Sequence, residues 1–168
     1  MPVISLDTEE LKRLLGKNVA VDELKARIPM MGAEIESADD KEIIVEFFPN
    51  RPDLYSVEGV ARALKGFMGF EKGLGKYEVA QAKTRLAVEP GVESVRPFIA
   101  CGMVRGINVD DSLIRSLMQM QEKLHMTVGR KRRKVAIGVH DARRLKPPYV
   151  YRAVKPKEVK FVPLGKAE

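Results

Sequence analysis

The side chains with the most chemistry to offer fall between residues 121 and 141. His140 and Asp141 follow the apolar run Val135-Ala136-Ile137-Gly138-Val139. That run is short for a helix and reads as a central strand. Groups at the carboxyl ends of strands are where open α/β sheets bind ligands. His140 could there donate a hydrogen bond, or position a water against an ester. Ester hydrolysis needs an oriented water and donors for the developing oxyanion, and does not require a nucleophilic side chain. The plainer reading is a capped turn, in which Asp141 forms an Asx-turn or orients its neighbour. Gln121 and Glu122, at the end of the preceding helical stretch, could face the same site. His125 lies on that helix end too and reads as a partner for its negative dipole rather than as a base.

Residues 130–134, Arg130, Lys131, Arg132, Arg133 and Lys134, form a run of five cations. Such a run cannot be buried, so it meets solvent, acidic groups or an anionic partner. If the strand begins here, alternation sends Arg130, Arg132 and Lys134 one way and Lys131 and Arg133 the other. One row could then meet phosphates and the other carboxylates. A solvated turn entering the strand explains the run equally well. No aromatic residues interleave, so stacking on single-stranded bases is not indicated. Contact with a backbone or a protein surface fits better than readout of base sequence.

A third motif is Pro49-Asn50-Arg51-Pro52-Asp53. The two prolines forbid regular ladder bonding, and Pro52 pushes Arg51 toward extended geometry. Asn50 and Asp53 can bond nearby backbone N–H groups. Ser56 then caps a helix whose apolar stripe is Val57, Val60, Ala61, Leu64, Phe67 and Met68. Glu58 and Arg62 are spaced as an i,i+4 ion pair. A well-capped core helix after a rigid turn accounts for this segment without any chemistry.

Other catalytic signatures are missing. There is no P-loop and no G-x-S-x-G sequence. Gly66, Gly69, Gly73 and Gly75 do not open a strand–helix phosphate cradle. With two histidines and one cysteine, no metal site is expected, and Cys101 reads as a small core residue.

These groups need a scaffold. Val3 to Leu6 reads as a strand, and Asp7-Thr8-Glu9-Glu10 as a capping box before a helix faced by Leu11, Leu14 and Leu15 and ended by Gly16. Asp22 can cap a short helix through Leu24 and Ile28 that Pro29 disrupts. Residues 33–37 and 42–47 read as strands around the polar turn 38–41. Residues 71–83, rich in Gly and Lys, read as a linker. A buried strand is expected at 98–104. A helix capped by Asp110, Asp111 and Ser112 should follow, running to Met126 with Leu113, Leu117, Met120 and Leu124 as its seam. Residues 159–162 offer a last strand. The expected fold class is α+β: a small N-terminal α/β module over 1–90 and the first elements of a mixed α/β domain over 91–168. The tail 165–168 offers no closing element, which suggests part of a longer protein.

Thirty Lys and Arg against 23 Asp and Glu give a net charge of +7, which favours anionic partners, nucleic acid first. The single cysteine excludes an internal disulfide and suits a reducing cytoplasm. No window approaches the length of a membrane span, and no signal peptide opens the chain. Charged residues at 32%, with only three Asn and three Gln, resemble a thermophile's composition.

Two stretches carry a family resemblance. "FPNRPDLYSVEGVARALKG" resembles the Pro-Asn-Arg-Pro-Asp motif and following helix of phenylalanyl-tRNA synthetase beta subunits. "RPFIACGMVRGINVDDSLIRSLMQMQEKLHMTVGRKRRKVAIGVHDARRLKPPYVYRAV" is similar to the start of the central domain in the archaeal and eukaryotic form, with "QEKLH" and "GRKRRKVAIGVHD" the most specific parts. The order and separation of the two motifs strengthen the match, which runs from about residue 3 to 164. The resemblance implies an assembly of two alpha and two beta chains that joins phenylalanine to tRNA(Phe) using ATP and magnesium at a site in the alpha subunit. It implies a central beta domain that hydrolyses mischarged Tyr-tRNA(Phe). It makes His140, Gln121 and Glu122 candidates for that pocket, and residues 130–134 candidates for contact with the acceptor end or the alpha subunit. No cofactor is expected to bind these residues themselves. The alternative from another class is a free-standing basic nucleic-acid-binding module without enzymatic activity.

Overall fold

The structure, a computed structural model, describes residues 2–163 and 165–166. Leu164, at the limit of the resemblance, and Ala167 and Glu168 in the tail lie outside the described residues. The chain forms two compact units: Met1–Lys76 with Asn108–Gly138, and Tyr77–Ile107 with Val139–Glu168. This differs from a division into 1–90 and 91–168. The long helix, expected to follow the first strand of the second domain, belongs with the first unit.

In the first unit, strands β1 (Val3–Asp7), β2 (Ala33–Ala38) and β3 (Glu42–Phe47) form an antiparallel sheet in the order β1-β3-β2. Alternation sends Ile4 and Leu6 of β1, and Ile43, Val45 and Phe47 of β3, to one buried face. The β2–β3 register shifts between Ile35 and Ser37. This bulge at Glu36 lets Ile35 and Ala38, three residues apart, both pack against the core. Asp39 closes the hairpin by accepting from the backbone N–H groups of Lys41 and Glu42, both at 2.8 Å. Those two bonds hold its carboxyl below the usual value.

Helix α1 (Thr8–Leu15) starts at Asp7, whose carboxylate accepts from the Glu10 N–H at 2.8 Å, and Gly16 ends it. Helix α2 (Val21–Arg27) buries Leu24, and Pro29 turns the chain into a 3-10 segment, Pro29–Met31. Its cap position is Ala20, so Asp22 falls inside the first turn rather than capping it. Helix α3 (Val57–Phe67) starts at Ser56, whose hydroxyl accepts from the Gly59 N–H at 3.1 Å. It packs against α1, and Val60, Ala61 and Leu64 share one core with the sheet's inner face. Phe67 departs from the expected stripe and is 47% exposed. Glu58 does not pair with Arg62; it accepts from the Ser116 hydroxyl at 2.7 Å. Ser116 lies on helix α4 (Asp111–Met126), capped by Asp110 through the Leu113 N–H at 2.8 Å. The seam Leu113, Leu117, Met120 and Leu124 is half-buried, with Leu124 against the core.

The Pro-Asn-Arg-Pro-Asp segment is the tightest joint in this unit. Pro52–Leu54 makes a single 3-10 turn, and the Leu54 N–H reaches the Arg51 carbonyl at 3.0 Å. Asp53's carboxylate goes to the Arg51 guanidinium in a two-pronged pair, at 3.0 and 2.9 Å. The Asp53 carbonyl oxygen faces Gly59 so closely that a Cβ there would lie 1.9 Å from it. Behind the turn, Leu54 and Tyr55 are fully buried.

The second unit is sparse. Strands β4 (Leu86–Val88) and β5 (Tyr149–Tyr151) pair in parallel, and the Tyr151 hydroxyl donates to the Arg96 carbonyl at 3.2 Å. Val92 is the buried apolar side chain here. The strands expected at 98–104 and 159–162 do not form. Both segments are irregular; Phe98 is 90% exposed, Phe161 is 76% exposed, and Cys101 is exposed rather than in a core. A strand needs a ladder partner, and among the described residues β4 and β5 use only each other.

Gly59→Ala should lower stability by about 3 kcal/mol, because the turn must lift off the helix or the helix must bend. Urea unfolding of the two proteins checks this. A second expectation concerns pH. The hydrogen bond from Arg51 holds the Asp53 carboxyl below its usual value, against opposing desolvation. Its stabilisation is therefore complete above the unfolded-state value near ~3.9 and fades as pH falls through the lower folded-state value. Both partners are over a third exposed, so the effect is below about 1 kcal/mol. The stability gap between the protein and Asp53→Asn should close as urea unfolding is repeated toward pH ~3.

Candidate nucleic-acid interface

Residues 130–134 leave the end of α4 as a turn. Arg130, Lys131 and Arg132 are all left-handed, with φ of 49°, 55° and 64°. Non-glycine residues adopt this conformation at a cost of about 1–2 kcal/mol each, so something must hold them there. The holding bonds are local. The Arg132 N–H donates to the His125 carbonyl at 3.2 Å, and the Lys134 N–H to the Gly129 carbonyl at 2.9 Å. Gly129 lies under the fold-back: a Cβ there would meet the Val135 carbonyl at 2.6 Å and the His125 carbonyl at 2.8 Å.

Residues 135–139 do not form the expected strand. They run back along α4 as a strap tied by side chains. The Ile137 N–H donates to His125 Nε2 at 2.7 Å, and Gln121 Nε2 donates to the Ile137 carbonyl at 2.6 Å. Helical side chains thus satisfy the strap's polar groups, where a neighbouring strand would have done so. His125 is 2% exposed. Because Nε2 accepts, its proton is on Nδ1, which makes no hydrogen bond and lies 3.8 Å from Glu122 Oε2. Beyond the dipole partner expected at this helix end, the imidazole is an acceptor for the strap.

The left-handed turn also overturns the expected alternation of charges, since a reversing chain does not send successive side chains to opposite faces. Arg132 reaches back to Glu122. Arg130, Lys131, Arg133 and Lys134 line one open depression with Met126 and Thr127. Four cations round one hollow repel each other, and the negative end of α4 offsets only part of that. Thr127 donates to the Lys123 carbonyl at 2.7 Å. The Tyr55 hydroxyl is buried near the Thr127 hydroxyl without reaching hydrogen-bond geometry. Burial pushes its phenol up, with Thr127 working against the shift.

The remaining candidates separate. Gln121 and Glu122 belong to the first unit, where they hold the strap and the turn. His140 belongs to the second unit and is exposed, and no strand ends there. Asp141 accepts from the Arg143 N–H at 3.0 Å and pairs with its guanidinium, as an Asx-turn does. Pro49, Asn50, Arg51, Pro52 and Asp53 form the joint with α3 described above. Sequence reasoning missed the parts played by Gly129, Met126 and Thr127. The signal for the first was a glycine placed directly between a helix end and five cations. Among the described residues no three His, Cys, Asp or Glu side chains gather as metal ligands. No described helix is long and apolar enough to cross a membrane.

No family model matches the chain. The phenylalanine–tRNA ligase beta subunit of Methanosphaera stadtmanae is 45% identical over 168 residues, covering all of this chain and 30% of that protein. That of Archaeoglobus fulgidus is 52% identical over 164 residues, covering 98% of this chain and 29% of that one. Among solved structures, an N-terminal fragment of the phenylalanyl-tRNA synthetase beta subunit from Pyrococcus horikoshii has a TM-score of 0.90 at 35% identity. It covers 99% of this chain and 49% of that one. The α+β fold and the whole-chain likeness make the protein similar to part of an aminoacyl-tRNA ligase subunit. More particularly, it belongs with archaeal phenylalanine–tRNA ligase beta subunits and corresponds to their N-terminal part. The chain spans about 30% of the length of these curated relatives.

Gly129→Ala should detach the turn, at a cost of about 2 kcal/mol, and speed hydrogen exchange at the Arg132 and Lys134 amides. Exchange measured residue by residue, alongside urea unfolding, checks both.

Proposed function

We propose that this chain works as the N-terminal part of the beta subunit of a phenylalanine–tRNA ligase, and that its basic turn meets the phosphate backbone of transfer RNA. The observation that carries the second statement is the gathering of Arg130, Lys131, Arg133 and Lys134 around one open depression. A polyanion relieves the repulsion among them and releases counterions as it binds. The partners on this reading are an alpha subunit and tRNA(Phe), in a cytoplasmic heterotetramer of two alpha and two beta chains.

ATP and magnesium serve ligation at a site in the alpha subunit. The second unit is the start of the domain that hydrolyses Tyr-tRNA(Phe). Within it His140 has an exposed imidazole that can be presented to an ester. Gln121 and Glu122 serve the turn and the strap instead. The 168 residues alone should neither charge tRNA nor hydrolyse the mischarged ester, whereas the complete assembly does both.

Lys131→Gln with Lys134→Gln, in the complete beta subunit assembled with alpha, tests the contact. Affinity for tRNA(Phe) should fall several-fold at low salt. The slope of log K against log salt should shrink by roughly 0.7–0.9 for each phosphate that is no longer neutralised. An unchanged slope overturns the phosphate contact. Binding as tight to any duplex DNA as to tRNA, without the alpha subunit, favours the free-standing module.

A further inference from the structure

We infer that His125 is a positioning residue for the basic turn, acting as an unprotonated acceptor that locks the strap behind it. The inference deepens the phosphate-contact reading and rests on it for its functional consequence. The geometry stands independently. Three residues in succession adopt left-handed backbone, and the segment after them has no strand to pair with. Two groups of one residue hold both ends of this arrangement. The His125 carbonyl takes the Arg132 N–H at 3.2 Å, and its Nε2 takes the Ile137 N–H at 2.7 Å. Gln121, one helical turn earlier, holds the other side of the same peptide unit through the Ile137 carbonyl at 2.6 Å. Of the four cations of the depression, Arg133 and Lys134 lie between these anchor points, and Arg130 and Lys131 come just before the first.

The lock needs a lone pair on Nε2, because an N–H donor there would face the Ile137 N–H. Glu122, on the same helix, lies 3.8 Å from Nδ1 and is paired with Arg132 of the turn.

The test uses the complete beta subunit assembled with alpha, and the variants His125→Leu, His125→Gln and Gln121→Ala. Glutamine keeps an acceptor near the Nε2 position that cannot be protonated; leucine keeps bulk without one. His125→Leu should speed exchange of the Ile137 amide about tenfold, relative to its intrinsic rate, and weaken tRNA(Phe) binding several-fold. His125→Gln should restore both. If leucine unfolds the subunit, Gln121→Ala should show the same local loss in a folded protein. Unchanged Ile137 exchange in His125→Leu, or no rescue by glutamine, overturns the inference. Faster exchange with unchanged tRNA affinity supports the positioning role and overturns the phosphate contact.

Discussion

A single hydrogen separates the Asp53 carbonyl from helix α3. With a Cβ at Gly59 the two atoms would be 1.9 Å apart, well inside van der Waals contact. Much of the first unit follows from that approach. The prolines at 49 and 52 stiffen the incoming chain, and the Arg51–Asp53 pair closes it into a loop. The chain is then delivered at Ser56, already aligned to cap the helix. The same turn drives Leu54 and Tyr55 into the core, where Tyr55 lies beside Thr127 at the far end of α4. A rigid joint near residue 53 thus supports the helix end from which the basic turn springs.

The second close approach, at Gly129, has the opposite character. The first joint removes freedom from a segment that propensity already favours. The second holds a segment that propensity opposes. Three left-handed cations cost a few kcal/mol in backbone strain, and their like charges add to that. The returns are hydrogen bonds accepted by His125 and Gly129 and donated by Gln121, and the favourable field at the end of α4. A solvated turn needs no such restraint, because water serves five exposed cations in any conformation. That strain is sustained at a surface hollow points to a use for the arrangement, as strained backbone does elsewhere when the surroundings over-determine it.

What could be read in advance divides along the range of the interactions. Caps at Asp7, Ser56 and Asp110 are decided within three residues, and all three hold. The alternation in β1 and β3 is equally local, since each strand carries its own buried face. The run at 135–139 is different: its apolar residues suit a strand or a strap equally. The choice is made by His125 and Gln121, 12 and 16 residues away from Ile137. His125 was legible only as a dipole partner near a helix end, because nothing in its neighbours announces that a returning amide will occupy Nε2. The apolar run at 98–104 signals burial, yet among the described residues no strand lies against it.

Composition limits what the depression can recognise. Its walls are four cations, a methionine and a threonine, with no aromatic ring to stack on a base and no amide side chain to read a base edge. Guanidinium and ammonium groups on a fixed turn can measure the spacing of phosphates. Rigidity matters for that purpose, because cations on a loose loop follow any polyanion, while cations on a strained, pinned turn favour one backbone curvature. Such walls offer nothing that reads base identity. What a turn of this kind can contribute to a backbone contact is register, by setting where the backbone would lie.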